Sequence, residues 1–295
     1  MYESLEEIGE AFSNKQIKFQ LTFSGFKAIL KRNISIIAKY KIKIINSFLN
    51  SFIAFSMYFF VSLLLPKQMI ITENYGVSGV SYIFSGLLIA SYGTIILGAG
   101  LGSLTNEMRQ GTFESIVLTP FGLKRYIILE IISEVIYYSL QNIIFLIPIL
   151  LIYPFTSGLV DLTFKTSVTL IILLLTYILF MSILTLTSSL LVVVLKRGRE
   201  IALAISGLLH FLGGILYPIS VFPKFLQVIA LVSPLTQAIS AFREIMFTGA
   251  VLSNITVWSA IIILLFYSFA LVCLFSWLYK KVYLIVQKKG SISHY

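Results

Sequence analysis

The sequence predicts an all-α membrane protein. Six transmembrane helices are expected, with an N-terminal interfacial helix, a short cytoplasmic helix between spans two and three, and an outer re-entrant hairpin between spans five and six. Three observations carry this reading. The chain of 295 residues is 58% hydrophobic and only 12% charged, where soluble domains are about a quarter charged. Its apolar residues gather into uncharged runs long enough to cross the ~30 Å hydrocarbon core of a bilayer. With the N-terminus inside, eighteen of the 22 lysines and arginines fall in inner segments, and only Lys67, Lys165, Lys224 and Arg243 fall in outer ones. That is a strong positive-inside bias.

The N-terminal segment, residues 1–43, starts acidic with Glu3, Glu6, Glu7 and Glu10 and turns basic from Lys15. Its second half interleaves Phe23, Phe26, Ile29, Leu30, Ile34 and Ile37 with lysines, which suits an amphipathic helix facing anionic headgroups. A solvated leader is the alternative for the same residues. No continuous apolar core of a secretory signal is visible in this stretch.

The membrane domain is expected over residues 44–285, with 286–295 as a cytoplasmic tail. Ile44 to Leu65 is the first run of spanning length, ended by Pro66 and Lys67. Val80 to Leu101 is the second, and its Gly98 and Gly102 have the small-xxx-small spacing that lets helices approach. Tyr126 to Tyr153 is the third and carries Glu130 and Glu134 one helical turn apart. Carboxylates inside a span are costly and so are shielded or functional. Either the two meet Lys124, Arg125 or water near the cytoplasmic interface, or they are ion sites.

Thr166 to Leu195 is the fourth span, closed by Lys196, Arg197 and Arg199, and the fifth opens at Glu200 with an apolar part reaching about Tyr217. Residues 218–249 stay apolar, but Pro218, Pro223 and Pro234 cut them into pieces too short to cross. Broken backbone at membrane depth has to be covered by protein or line a cavity, which implies a re-entrant hairpin. Arg243 and Glu244 are expected near its outer interface as a partly shielded pair. Ile255 to Leu278 is the sixth span, anchored by Tyr279, Lys280 and Lys281.

Between spans two and three lies a charged island at residues 105–120. Gly111 permits a sharp change of direction, Thr112 can cap the N–H groups of a new helix, and Glu114 sits where a carboxylate suits the helix dipole. Phe113, Ile116 and Val117 then form one apolar stripe, and Pro120 closes the element. The pattern Glu107-x-Arg109-x-Gly111-Thr112-x-Glu114, followed by Thr119-Pro120, resembles the coupling segment of ATP-binding-cassette type-2 exporter permeases. A second block resembles the same family's penultimate segment: Phe211 to Pro223, then Ser233-Pro234-Leu235-Thr236 and Ala241-Phe242-Arg243-Glu244.

The resemblance implies a permease subunit of an exporter in the cell membrane, with both termini cytoplasmic. Two such permeases, identical or homologous, would pair over two separate ATPase subunits that bind ATP and Mg. Glu107, Arg109, Gly111, Thr112, Phe113, Glu114 and Ile116 would meet the ATPase. The competing placement puts Phe113, Ile116 and Val117 against lipid headgroups.

Much other chemistry has no motif here. No G-x-x-x-x-G-K-[ST] loop occurs, so the chain is not expected to hold ATP or to be an enzyme. His210 and His294 lack metal-ligand spacing, and Asp161 is the only aspartate. The net charge of +10 flanks apolar runs without base-stacking aromatics, which argues against nucleic acid and for a lipid surface. Ser85, Tyr92, His210 and Tyr217 are candidates to line a path for an amphipathic, lipid-like, drug or glycan substrate, or are simply packing groups. A self-contained ion-coupled transporter or channel using Glu130 and Glu134 is the rival reading, although no internal repeat is evident.

Overall fold

The computed structural model describes scattered helical positions between residues 25 and 61, then residues 79–113, 115, 125–136, 139, 163–195 and 197–289; the side chains of 280 and 282–289 lie outside that description. Among the described residues there is no strand. Helix α1 is Gly79–Leu97, and a π-turn at Gly98–Gly102 joins it to α2, Ser103–Arg109. After them come α3 (Phe164–Leu195), α4 (Gly198–Leu212), a 3-10 turn at Ile219–Val221, α5 (Lys224–Val232), α6 (Pro234–Thr248) and α7 (Ile255–Lys289). Residues 125–136 are helical as well.

Three of these helices are long and apolar enough to cross a membrane: Gly79–Arg109 as one element of 31 residues, Phe164–Leu195, and Ile255–Tyr279. A fourth is possible if α5 and α6, bent by 79°, count as one broken span. These match the expected second, fourth and sixth spans. Of the expected first span only scattered positions from Ile45 to Val61 are described, all of them helical, and the third is described only over 125–136 and at 139. The expected fifth span is shorter than its apolar stretch suggested: α4 has 15 residues, about 22 Å of rise against ~30 Å of hydrocarbon. It stops because Gly213 and Gly214 follow, and Gly214 has a φ of +62°, outside the range of a right-handed helix.

The core is built where α1, α3, α6 and α7 meet. Ile89, Ile96, Leu97, Leu101 and Leu104 pack with Leu173, Tyr177 and Phe180 of α3, Ile239 and Ile245 of α6, and Val257 and Leu264 of α7. Glycine decides how closely α1 and α3 approach. A Cβ at Gly93 would lie 2.4 Å from the Tyr177 hydroxyl, and one at Gly100 2.2 Å from Thr185 Cγ2. Apolar residues also cover the outside, for example Leu175 on α3 and Phe266 and Phe269 on α7. An all-round apolar helix is what a lipid solvent selects. Near the end of α7, Lys281 Nζ stands 3.8 Å from the Trp277 ring centroid, an aromatic-and-lysine pair of the kind that anchors a span at the interface.

The α5–α6 hairpin follows from its prolines. Pro234 occupies the first turn of α6, where its missing N–H serves no helical bond. It pushes Ser233 to φ −63° and ψ 127°, an extended residue between two helices. The Thr236 hydroxyl donates to the Leu212 carbonyl at 2.9 Å, tying the start of α6 to the end of α4. Gln227 secures the 3-10 turn by donating to the carbonyls of Phe222 at 2.7 Å and Ser220 at 3.1 Å.

Candidate functional site

The charged island begins where α2 ends. Gly111 has a φ of +70°. Its N–H donates to the Met108 carbonyl at 3.3 Å, and the Thr112 N–H donates to the Glu107 carbonyl at 3.0 Å. Together these form a Schellman stop, which satisfies the last carbonyls and turns the chain sharply. Thr112 was expected to cap the next helix. The bonds its hydroxyl makes run backward instead, to the Glu107 carbonyl at 3.2 Å and to the Glu107 carboxylate, and they reinforce the stop. Helix resumes at Phe113 and Ser115. Arg109, Gln110, Gly111, Thr112 and Ser115 are exposed. Phe113 is half-buried and packs against the chain's own core. Glu114 and Ile116 lie outside the described residues.

Glu107 faces inward. Its Oε1 accepts from Arg32 Nη1 at 3.1 Å and from the Tyr126 hydroxyl at 2.8 Å. The same guanidinium donates through Nη2 to Glu130 Oε1, so one planar fork bridges two carboxylates, a task suited to arginine over lysine. Side-chain exposure falls from 41% at Arg32 to 15% at Glu107 and 6% at Glu130. Partial burial alone would lower the pKa of Arg32. Hydrogen bonding to Tyr126 and the Glu130 and Glu107 charges outweigh burial and hold it above its ordinary value. Three segments therefore meet in one polar knot: the N-terminal stretch, the end of α2 and the start of the 125–136 helix.

Two expectations about charge meet the structure here. Glu130, expected to meet Lys124, Arg125 or water or else to be an ion site, has an ion pair with Arg32, nearly a hundred positions away in sequence. Arg243 was expected near an interface beside Glu244. It is instead 3% exposed and bonded to groups on α1 and after α4, because neighbouring positions on a helix point in different directions and only Arg243 falls on the face of α6 toward the core.

The stretch that holds the exposed turn and the proline-bent hairpin also matches a known family. The profile described as ABC-2 type transporter matches residues 24–247 of the 295. The chain belongs to the ABC-2 type transporter family. A comparison with curated proteins finds no match. The match covers both the knot and the hairpin, and it makes the chain a permease component of an ABC-2 transporter, embedded in a membrane.

The four candidate path residues of the permease sit in different settings. Ser85 is buried, donates to the Tyr82 carbonyl at 2.7 Å and accepts from Arg243, so it is part of the packing. The Tyr92 hydroxyl lies 3.1 Å from Ser139 Oγ. His210 Nε2 lies 3.1 Å from Thr94 Oγ1 and 3.4 Å from the Ala90 carbonyl, on a shallow recess shared with Gly93, Tyr177 and Ser206. Tyr217 packs edge-on against Phe222 with ring centroids 5.2 Å apart. Among the described residues no cluster of His, Cys, Asp and Glu could hold a metal ion.

Arg32, Tyr126 and Tyr82 are the residues that sequence reasoning missed. For Arg32 a signal was present, since it is the only arginine in a stretch whose other basic residues are lysines.

Proposed function

We propose that this permease forms the translocation path of an exporter and takes its drive from separate ATPase subunits through residues 105–120. Two permease copies, or one and a homologue, pair over two ATPases, which bind ATP and Mg; this chain itself hydrolyses nothing. The segments assigned from sequence, 1–43, 44–285 and 286–295, with the re-entrant hairpin at 218–249 on the outer side, belong to the same reading. The substrate is an amphipathic or lipid-like molecule, a drug or a glycan.

The observation that carries the reading is the Schellman stop at Gly111. It ends a 31-residue spanning element in a fixed turn and leaves Arg109 and Thr112 exposed around Phe113. An element that transmits displacement has to be rigid behind its contact surface, and the Arg32 knot supplies that rigidity. Glu107 acts from within this knot and not as a rim charge. Of the two carboxylates that the ion-coupled alternative would use, Glu130 and Glu134, Glu130 is already ion-paired.

The test is the affinity of the permease for its ATPase. Phe113→Ala removes an interface anchor and is expected to weaken binding by about 2 kcal/mol, while the permease still inserts. Because Phe113 also packs inward, Arg109→Glu serves as an exposed companion, expected to slow association more than it weakens the complex. Unaltered binding and unaltered coupling of hydrolysis to transport in both variants would refute the assignment.

A further inference from the structure

Arg243 lies inside α6 with 3% of its surface exposed. A guanidinium placed there gives up its hydration, and the loss is offset only where its N–H groups meet acceptors. Nε donates to Ser85 Oγ at 3.2 Å, and Nη2 donates to the carbonyls of Tyr82 at 3.0 Å, Gly214 at 3.1 Å and Ile215 at 3.3 Å. Its central carbon stands 3.5 Å from the centroid of the Tyr82 ring, a cation–π contact inside the protein. Helix α1 is shaped to admit the group, since a Cβ at Gly86 would come within 2.9 Å of Nη2.

The acceptors belong to two other elements. Tyr82 and Ser85 lie near the start of α1, and Gly214 and Ile215 follow the end of α4, where carbonyls have no helical partner. One side chain on the second arm of the hairpin therefore grips both. From Tyr82 the spanning element runs on through the π-turn and α2 to the stop at Gly111. Arg243 and the coupling segment thus hold opposite ends of the same 31-residue element.

We propose that Arg243 is the positioning residue that makes the α5–α6 hairpin follow the coupling span, so that displacement at the Phe113 end reaches the hairpin at the other. This rests on the coupling reading above. Lysine cannot replace it, because a single ammonium placed at the three carbonyls lacks the second nitrogen, Nε, that reaches the Ser85 hydroxyl, and the flat face that stacks on Tyr82.

The test uses the assembled permease–ATPase complex in nanodiscs, with Cys273→Ser and pairs of spin labels. Labels at Val228 and Phe164, which are 63% and 85% exposed, report the hairpin. Labels at the exposed Ser115 and at Leu195 report the coupling end. Inter-label distances are measured with and without Mg-ATP trapped by vanadate. In the unsubstituted complex both distances shift on trapping. In Arg243→Lys the coupling-end shift and the hydrolysis rate stay within about twofold, while the hairpin shift falls to less than half. A hairpin shift of unaltered size in Arg243→Lys overturns the proposal. If that variant does not assemble, Ser85→Ala, which removes one acceptor, decides in the same way: a reduced hairpin shift supports the proposal and an unaltered one overturns it. No shift at the coupling end of the unsubstituted complex would instead overturn the coupling reading, and the proposal with it.

Discussion

Glu130 is a carboxylate with 5% of its surface exposed, and Arg32 is a charge that makes this tolerable. Removing one partner of a fully buried pair costs roughly 3–5 kcal/mol, because the other charge is left in low dielectric. Arg32 itself is 41% exposed on its side chain, so solvent screens part of the loss and Arg32→Ala is expected to cost about 1–2 kcal/mol. Combining Arg32→Ala with Glu130→Gln should recover part of that, since an amide removes the more deeply buried of the two carboxylates and leaves only Glu107 without its arginine. Thermal unfolding of the four proteins of this cycle in detergent micelles measures the coupling directly. The knot also marks how far single residues could be read from the sequence. The turn at Gly111 was legible because glycine there has a local reason. That Glu107 would face inward was not, because its partners lie 75 positions upstream at Arg32 and 19 downstream at Tyr126, and no local pattern encodes them.

At the scale of elements, the π-turn sets up a contrast between two glycines. Gly100 abuts Thr185 and Ile127, whereas a Cβ at Gly102 would meet no atom of the described residues within 4 Å. Gly100→Ala is therefore expected to destabilise by about 1–3 kcal/mol through overpacking. Gly102→Ala should stabilise by about 0.5–1 kcal/mol, the usual gain when alanine replaces a helical glycine with room to spare. Melting temperatures of the two variants, which should move in opposite directions, check this. Helices α3 and α7 were legible as uninterrupted apolar runs, and the bend at Ser233 as the residue before a proline. The length of α4 was not, since Leu212 to Tyr217 is as apolar as the helix before it and only the conformations of Gly213 and Gly214 end it. The buried placement of Arg243 was illegible for a related reason: the sequence marks a charge at a helical position but not which neighbour that face meets.

For the whole molecule, the charge bias predicts that positions near Lys43, Arg109, Arg197 and Lys288 face the cytoplasm and that Lys67, Asp161 and Lys224 face outward. Cysteines introduced at these sites after Cys273→Ser should separate cleanly under an impermeant thiol reagent in intact cells. Labelling of the inner set without permeabilisation would contradict the topology. Helix α3 adds a constraint of another kind. Its 32 residues carry one charged side chain, Lys165, at the very start, so nearly all of its roughly 48 Å is uncharged. A hydrocarbon layer of ~30 Å cannot cover that length around an upright helix, so α3 tilts, extends beyond the hydrocarbon or thickens the bilayer beside it. Because α7 packs along α3, the two lean together, and lipids with longer tails would let them stand straighter. The thickness of the surrounding membrane thereby bears on the resting inclination of these two helices, an input that comes from neither nucleotide nor cargo.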